Sequence, residues 1–117
     1  MISSQDIEKV QEKARQIKAL VIGDAMLDQY IYGTVDRISP EAPVPVLSHQ
    51  RTEIKAGGSA NVALNLAAWG CKTTLIGLTG NDLNANKLAS LLEEKHIRHH
   101  FVRSESRPTT IKTRVVA

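Results

Sequence analysis

The sequence predicts an α/β fold built on a parallel sheet. A short continuous apolar run, residues 19–23, carries the signature of a strand buried within a sheet, and residues 73–78 read as the next strand. Two helix-period segments, residues 59–69 and the stretch from Leu83 to about His96, sit between and after them. The resulting order of strand, helix, strand, helix, strand calls for parallel pairing with right-handed crossovers.

The elements follow in chain order. Residues 4–18 place Ile7, Val10, Ala14 and Ile17 at helical spacing among Lys and Glu, with Ser3 or Ser4 as the cap and Asp6 at the positive helix start. This amphipathic leading helix runs into the apolar strand that ends at Gly23-Asp24. Asp24 is thereby expected at the carboxyl end of a strand, the edge where open α/β sheets bind ligands. Residues 29–55 behave differently. Tyr30, Ile31, Tyr32 and Val35 look strand-like, while Pro40, Pro43 and Pro45 forbid a helix. The segment is expected to form irregular extended strands outside the main sheet, as a flap or lid. After Gly57-Gly58 a helix bears Val62, Leu66 and Trp69 on one face and ends at Gly70. The strand at 73–78 follows. Asn81 or Asp82 then caps a helix bearing Leu83, Leu88, Leu91 and Leu92. Residues 99–103 read as a strand, Pro108 breaks the chain, and residues 109–117 are β-rich and assigned to the lid. The last residues, Val115-Val116-Ala117, fall inside a strand pattern, so the chain is expected to be one part, residues 1–117, of a larger domain.

Composition narrows the class. Of 117 residues 42% are hydrophobic and 23% charged, an ordinary folded balance. The net charge of +3 comes from scattered residues. It could help draw in an anionic small molecule, or simply reflect a solvated surface. Only four aromatics other than His occur, and none interleaves with a basic cluster, so a nucleic-acid partner is not expected. Cys71 is single, which excludes an internal disulfide and favours a buried structural thiol. The first residues lack the apolar centre of a signal peptide, and no run approaches the roughly eighteen apolar residues of a membrane span. A cytoplasmic protein with no membrane partner is the expectation.

Three constellations could carry chemistry. Asp24 and Asp28, just after a buried strand, could accept hydrogen bonds from vicinal sugar hydroxyls; equally, Asp24 could cap a turn and Asp28 could be a surface charge. Gly57-Gly58-Ser59-Ala60-Asn61 pairs glycines that permit close approach of a ligand with a helix start and an amide able to bind a hydroxyl, or it is an ordinary turn and cap. It matches neither a Walker loop nor a dinucleotide fingerprint. Thr110, Lys112 and Arg114 share one face of an extended segment, as a lid over a phosphorylated sugar would require and as a protected edge strand would also show. His96, His99 and His100 have no partner at ligand spacing, so no metal site is expected.

Taken in order, these segments resemble a known family. Residues 23–30 (Gly-Asp-Ala-Met-Leu-Asp-Gln-Tyr), the block 37–46 (Arg-Ile-Ser-Pro-Glu-Ala-Pro-Val-Pro-Val), and residues 57–63, 77–80 and 107–115 resemble the N-terminal kinase domain of bacterial ADP-heptose synthases. Those enzymes belong to the ribokinase/phosphofructokinase-B superfamily, and the proline-rich block separates them from generic ribokinases. The resemblance implies the N-terminal part of a ribokinase-like three-layer αβα fold with a β-lid. It implies transfer of phosphate from Mg-ATP to the anomeric hydroxyl of D-glycero-D-manno-heptose 7-phosphate, with Asp24, Gly57, Gly58 and Asn61 contacting the sugar. Asp28, Lys112 and Arg114 are added as substrate-binding candidates, the last two for the substrate's phosphate or for lid closure. It also implies a homodimer, formed through lid strands or exposed sheet edges. Ser59 stands where alanine is more usual, and residues 83–86 replace an acidic-then-glycine stretch. The family's catalytic Asp-Thr-x-Gly-Ala-Gly-Asp motif, which supplies the base and the amides that stabilise the moving phosphoryl group, does not occur in these 117 residues. No catalytic residue and no ATP site is therefore expected here, and the chain alone should be inactive. Two alternatives stay open: a ribokinase-like kinase for another sugar or nucleoside, and a non-catalytic dimerisation or ligand-binding module. The sugar-kinase reading requires Asp24 and Asn61 to converge on one hollow.

Overall fold

A computed structural model describes all 117 residues. The chain opens with helix α1, Ser4–Ala14, started by a capping box in which the Ser3 hydroxyl accepts the Asp6 N–H at 3.2 Å and Asp6 accepts the Ser3 N–H at 2.9 Å. These bonds to Ser3 hold the Asp6 carboxyl below its usual range. The helix stops a turn short of Lys18, and of its expected apolar stripe only Ala14 is buried.

Strands β1 (Lys18–Ile22), β4 (Lys72–Gly80) and β5 (Arg98–Ser104) form an all-parallel sheet in the order β1-β4-β5. Helices α2 (Ser59–Ala68) and α3 (Leu83–Glu93) make the crossovers and pack on one face. Leu75 of β4 meets Ala60 and Ala63 of α2 and Leu88 and Leu92 of α3 in a single buried cluster. Two sequence expectations change here. Val62 of α2 and Trp69 at its C-cap face outward, at 50% and 46% exposure, while Ala60 and Ala63 are fully buried and Leu64 packs beside them. Small side chains let the helix backbone approach the sheet closely, a packing demand that helical periodicity alone does not reveal. And β1 is buried on one face rather than two: Leu20 and Ile22 are 59% and 70% exposed, because no element of this chain covers that side. The sheet therefore carries one helical layer here.

The second sheet is more regular than the prolines suggest. β2 (Ala25–Ile38) and β3 (Pro45–Gly58) pair antiparallel from Ala25↔Gly58 to Ile38↔Pro45, with register shifts at Tyr32/Gly33 and Val35/Arg37. Pro40 and Pro43 lie in the connecting turn and Pro45 opens its strand, so none interrupts the ladder. β6 (Ile111–Val116) joins parallel to β2, giving the order β3-β2-β6. This ribbon projects from the core. The radius of gyration is 18.6 Å, against about 13–14 Å for a compact domain of this length. Its root is buried: Leu27 and Ala56, register partners, enter the same cluster as Leu75 and Leu88.

Leu27 is thus the bolt between ribbon and core. Leu27→Ala should lower the unfolding free energy by about 2–5 kcal/mol, whereas Val62→Ala on the outward face of α2 should change it by no more than about 0.5 kcal/mol. Urea titration of the two variants checks this, and equal losses would mean that the large face of α2 is packed after all.

Candidate functional site

The candidate site lies where the ribbon leaves the core, at the carboxyl end of β1. Alternation along β2 puts Asp28, Tyr30 and Tyr32 on one face, and register puts Lys55 and Lys112 on either side of Asp28. The Asp28 side chain, 18% exposed, leans over Gly57, where a Cβ would lie 2.7–2.8 Å from its carboxylate atoms. Glycine is needed there for space. Lys112 Nζ stands 3.2 Å from Asp28 Oδ1, a charge contact without hydrogen-bond alignment, so this buried oxygen has no donor aimed at it. Gly58 holds φ at +59°, and a Cβ there would collide with the Asp24 carbonyl. It starts α2 without a side-chain cap. The Ser59 N–H donates to the Asp24 carbonyl at 2.8 Å, and the buried Ser59 hydroxyl has no partner.

Asp28 and Asn61 line a common hollow of about 350 Å³, within the usual size of small-molecule sites. Tyr30, Lys55, Ile54 and Ala56 of the ribbon complete one wall, and Leu64, Leu91, Glu94 and Lys95 the other. Asp24 does not line it, so the convergence of Asp24 with Asn61 expected from the sequence is not met, and Asp28 stands in that place. Asp24 is exposed at the bend between β1 and β2 and touches the start of α2 through its main chain. Of the two carboxylates singled out in the sequence, the one on the ribbon shares the hollow with Asn61. A larger cavity, about 580 Å³, lies at the opposite edge of the core sheet between Lys18, Leu20, Lys72, Thr74, His96 and Arg98. It opens at the amino ends of the strands, away from the carboxyl ends where parallel sheets bind ligands, and holds none of the site residues expected from the sequence, so the hollow with Asp28 and Asn61 is the candidate.

Lys112 and Arg114 fall on the same ribbon face as Asp28. They differ in company: Lys112 is paired with Asp28, and the Arg114 guanidinium lies 5.8 Å from the Tyr30 ring centre. Thr110, their expected companion, precedes β6, and its carbonyl accepts the Leu27 N–H at 3.0 Å. His99 contacts Glu93 at 3.0 Å and lies tilted against Phe101, and no group of three or more possible metal ligands is gathered anywhere in the chain. Cys71 is half-buried.

Sequence reasoning missed the pin that places β6. Asp82 caps α3 by accepting the Ala85 N–H at 2.9 Å, and the same carboxylate accepts the Thr109 hydroxyl at 2.7 Å and the Thr109 N–H at 2.8 Å. The Thr109 oxygen in turn accepts the Gly80 N–H at 3.0 Å. A Cβ on Gly80 would sit 2.5 Å from Asp82 Oδ2 and 2.6 Å from the Thr109 nitrogen. The hydroxyl bond from Thr109, then its N–H, then that of Ala85 hold the Asp82 carboxyl below its usual range. The cap was visible in the sequence; its second partner, 27 residues on, was not.

Comparisons with known proteins bear on this geometry. Residues 16–117 match the profile described as pfkB family carbohydrate kinase. The chain is 48% identical over 103 residues to the bifunctional protein HldE of Haemophilus influenzae (strain PittEE), covering 88% of this chain and 22% of that protein. It is 47% identical over 105 residues to the D-beta-D-heptose 7-phosphate kinase of Bordetella bronchiseptica (strain ATCC BAA-588 / NCTC 13252 / RB50), covering 90% and 34%. The chain thus spans 22% and 34% of the lengths of these two curated relatives. Among solved structures, the carbohydrate kinase from Agrobacterium tumefaciens superposes with a TM-score of 0.70 at 23% identity, over 85% of this chain and 31% of that one, which shows a shared fold.

The Asp82 pin has a pH signature. A depressed native carboxyl contributes stability that is complete above the ordinary carboxylate range and is lost as pH falls through the native value. On acidification from neutral pH, amide protection across β6 should fall in the wild type. In Asp82→Asn it should already be low at neutral pH and change little further. Parallel acid losses in both proteins, measured by hydrogen exchange, would show that Asp82 does not hold the strand.

Proposed function

The chain belongs to the pfkB family of carbohydrate kinases, and on that premise we propose that it is the acceptor-sugar portion of a kinase acting on D-glycero-D-manno-heptose 7-phosphate. In this reading the complete enzyme transfers phosphate from Mg-ATP to the anomeric hydroxyl, in the cytoplasm, as a step toward ADP-heptose and lipopolysaccharide core. The observation that carries it is the hollow that Asp28 and Asn61 share between the ribbon and helices α2 and α3. The carboxylate accepts hydrogen bonds from hydroxyls, and Asn61 both donates and accepts. The unaligned Asp28 Oδ1 is a buried polar atom of the hollow that a hydroxylated ligand would satisfy. Gly57 and Gly58 let the backbone approach the ring. Asp24 acts through the α2 start that its carbonyl fixes. Names of relatives support the substrate: HldE and D-beta-D-heptose 7-phosphate kinase are similar over most of this chain.

Orienting the acceptor is half of such a mechanism. The Asp-Thr-x-Gly-Ala-Gly-Asp motif that would supply the base and the phosphoryl-stabilising amides is not among these residues, so transfer needs residues outside the chain. Dimerisation belongs to the same proposal. The ribbon ends in two unpaired edges, the outer sides of β3 and β6, and all six residues of β6 are exposed.

Titration of the 117-residue chain with the heptose phosphate tests the site. Asp28→Asn and Asn61→Ala should each weaken binding about tenfold, and the chain should show no turnover with Mg-ATP. Wild-type affinity in both variants would remove the site, and robust turnover by the pure chain would refute the need for further residues.

A further inference from the structure

The ribbon face that carries Asp28 holds four cations, and they are not equivalent. Register places Arg51 opposite Tyr32, Lys55 opposite Asp28, and Lys112 and Arg114 beside Asp28 and Tyr30. Lys112 is engaged with Asp28, and Arg51 with Glu53 at 3.3 Å, its guanidinium lying 3.9 Å from the Tyr32 ring centre. Lys55 and Arg114 have no carboxylate partner. Both instead converge on one ring: Lys55 Nζ is 5.2 Å and the Arg114 guanidinium 5.8 Å from the centre of Tyr30. Tyr30 and Lys55 also line the hollow that contains Asp28 and Asn61.

We infer that Lys55 and Arg114, spaced around Tyr30, form the subsite that selects a sugar carrying a phosphate monoester. The inference rests on the sugar-binding reading of the same hollow and assigns its two ends. Asp28 and Asn61 are the hydroxyl-binding end, and the tyrosine with its two free cations is the anion-binding end. A phosphate dianion suits this arrangement because an ammonium and a planar guanidinium donate from different directions and neither must first leave a carboxylate. The Tyr30 ring keeps both heads from spreading into solvent, since a cation is attracted to the face of an aromatic ring. Glu94 and Lys95, across the hollow just past the end of α3, offset each other in charge, and Glu53 is held by Arg51. This division changes the role first given to Lys112. Placed against Asp28, it orients the hydroxyl-binding carboxylate and is a positioning residue, while the phosphate falls to Arg114 and to Lys55, which the sequence did not single out.

The experiment compares D-glycero-D-manno-heptose 7-phosphate, the same heptose without phosphate, and inorganic phosphate, on the 117-residue chain and its variants. Binding is followed by titration and by the ring signals of Tyr30, with amide spectra checking that each variant is folded. Lys55→Gln and Arg114→Gln should each weaken the phosphorylated sugar about tenfold and leave the unphosphorylated sugar unchanged. Lys112→Gln should weaken both sugars alike, and Arg51→Gln neither. Lys55→Arg, which keeps the charge, should retain most of the affinity. Wild-type affinity for the phosphorylated sugar in Lys55→Gln and Arg114→Gln, or equal losses for both sugars, would overturn the subsite and leave the sugar site standing. If neither sugar binds but inorganic phosphate shifts the Tyr30 ring in the wild type and not in the two variants, the subsite stands and the sugar reading falls. If no phosphate compound moves Tyr30, the subsite is refuted.

Discussion

One carboxylate determines where the parts of this protein meet. Asp82 ends the carboxyl edge of β4, caps α3, and grips Thr109 by its hydroxyl and its amide. The chain leaving β5 must therefore turn at Thr109, which is 3% exposed, and enter the ribbon rather than continue in the core sheet. From there geometry propagates without further choice. The Thr110 carbonyl meets the Leu27 N–H, the parallel ladder follows, and Lys112 arrives beside Asp28. Gly80 makes this possible, because any Cβ would occupy the space of the pin. A charged acceptor with three donors is a strong local constraint.

The rest of the architecture divides work between two surfaces. The core sheet buries one face under alanine-faced α2 and leucine-faced α3, and it supplies the rigid edge from which β2 departs. The ribbon has little buried interior of its own beyond Ala25, Leu27 and Ala56, and its functional face is polar and charged. Charge pairing sorts that face: two carboxylates engage two of the four cations and leave the other two gathered at one tyrosine. The proposed function follows from this sorting, since a phosphorylated sugar presents both hydroxyls and a fixed anion.

Much of this was legible in the chain itself. Apolar runs at β1 and β4 and the helical periods between them led to the parallel order, because burial in a sheet and periodicity in a helix are local properties of sequence. Asp28, Gly57, Gly58 and Asn61 stood out by type and spacing; the structure puts Asp28 and Asn61 on one hollow and Gly57 under the Asp28 carboxylate, while Gly58 lies against the Asp24 carbonyl. What misled was also physical. Helical spacing marks an apolar stripe but does not say which stripe a sheet accepts, so Val62 and Trp69 looked like core when Ala60 and Ala63 are. Prolines suggested irregular strands, yet each sits where no ladder donor is required.

The order of strands and helices, the family resemblance, and the residue types suited to binding a sugar could be read from the chain, because these depend on neighbours along it. Only the tertiary structure decided that Asp28 rather than Asp24 shares a hollow with Asn61, that Lys55 joins Arg114 at Tyr30, and that Asp82 reaches Thr109. Each of those depends on pairing register or on a contact between distant segments. A shift of one residue in the β2–β3 ladder would turn Lys55 to the other face, and nothing local in the chain records that choice.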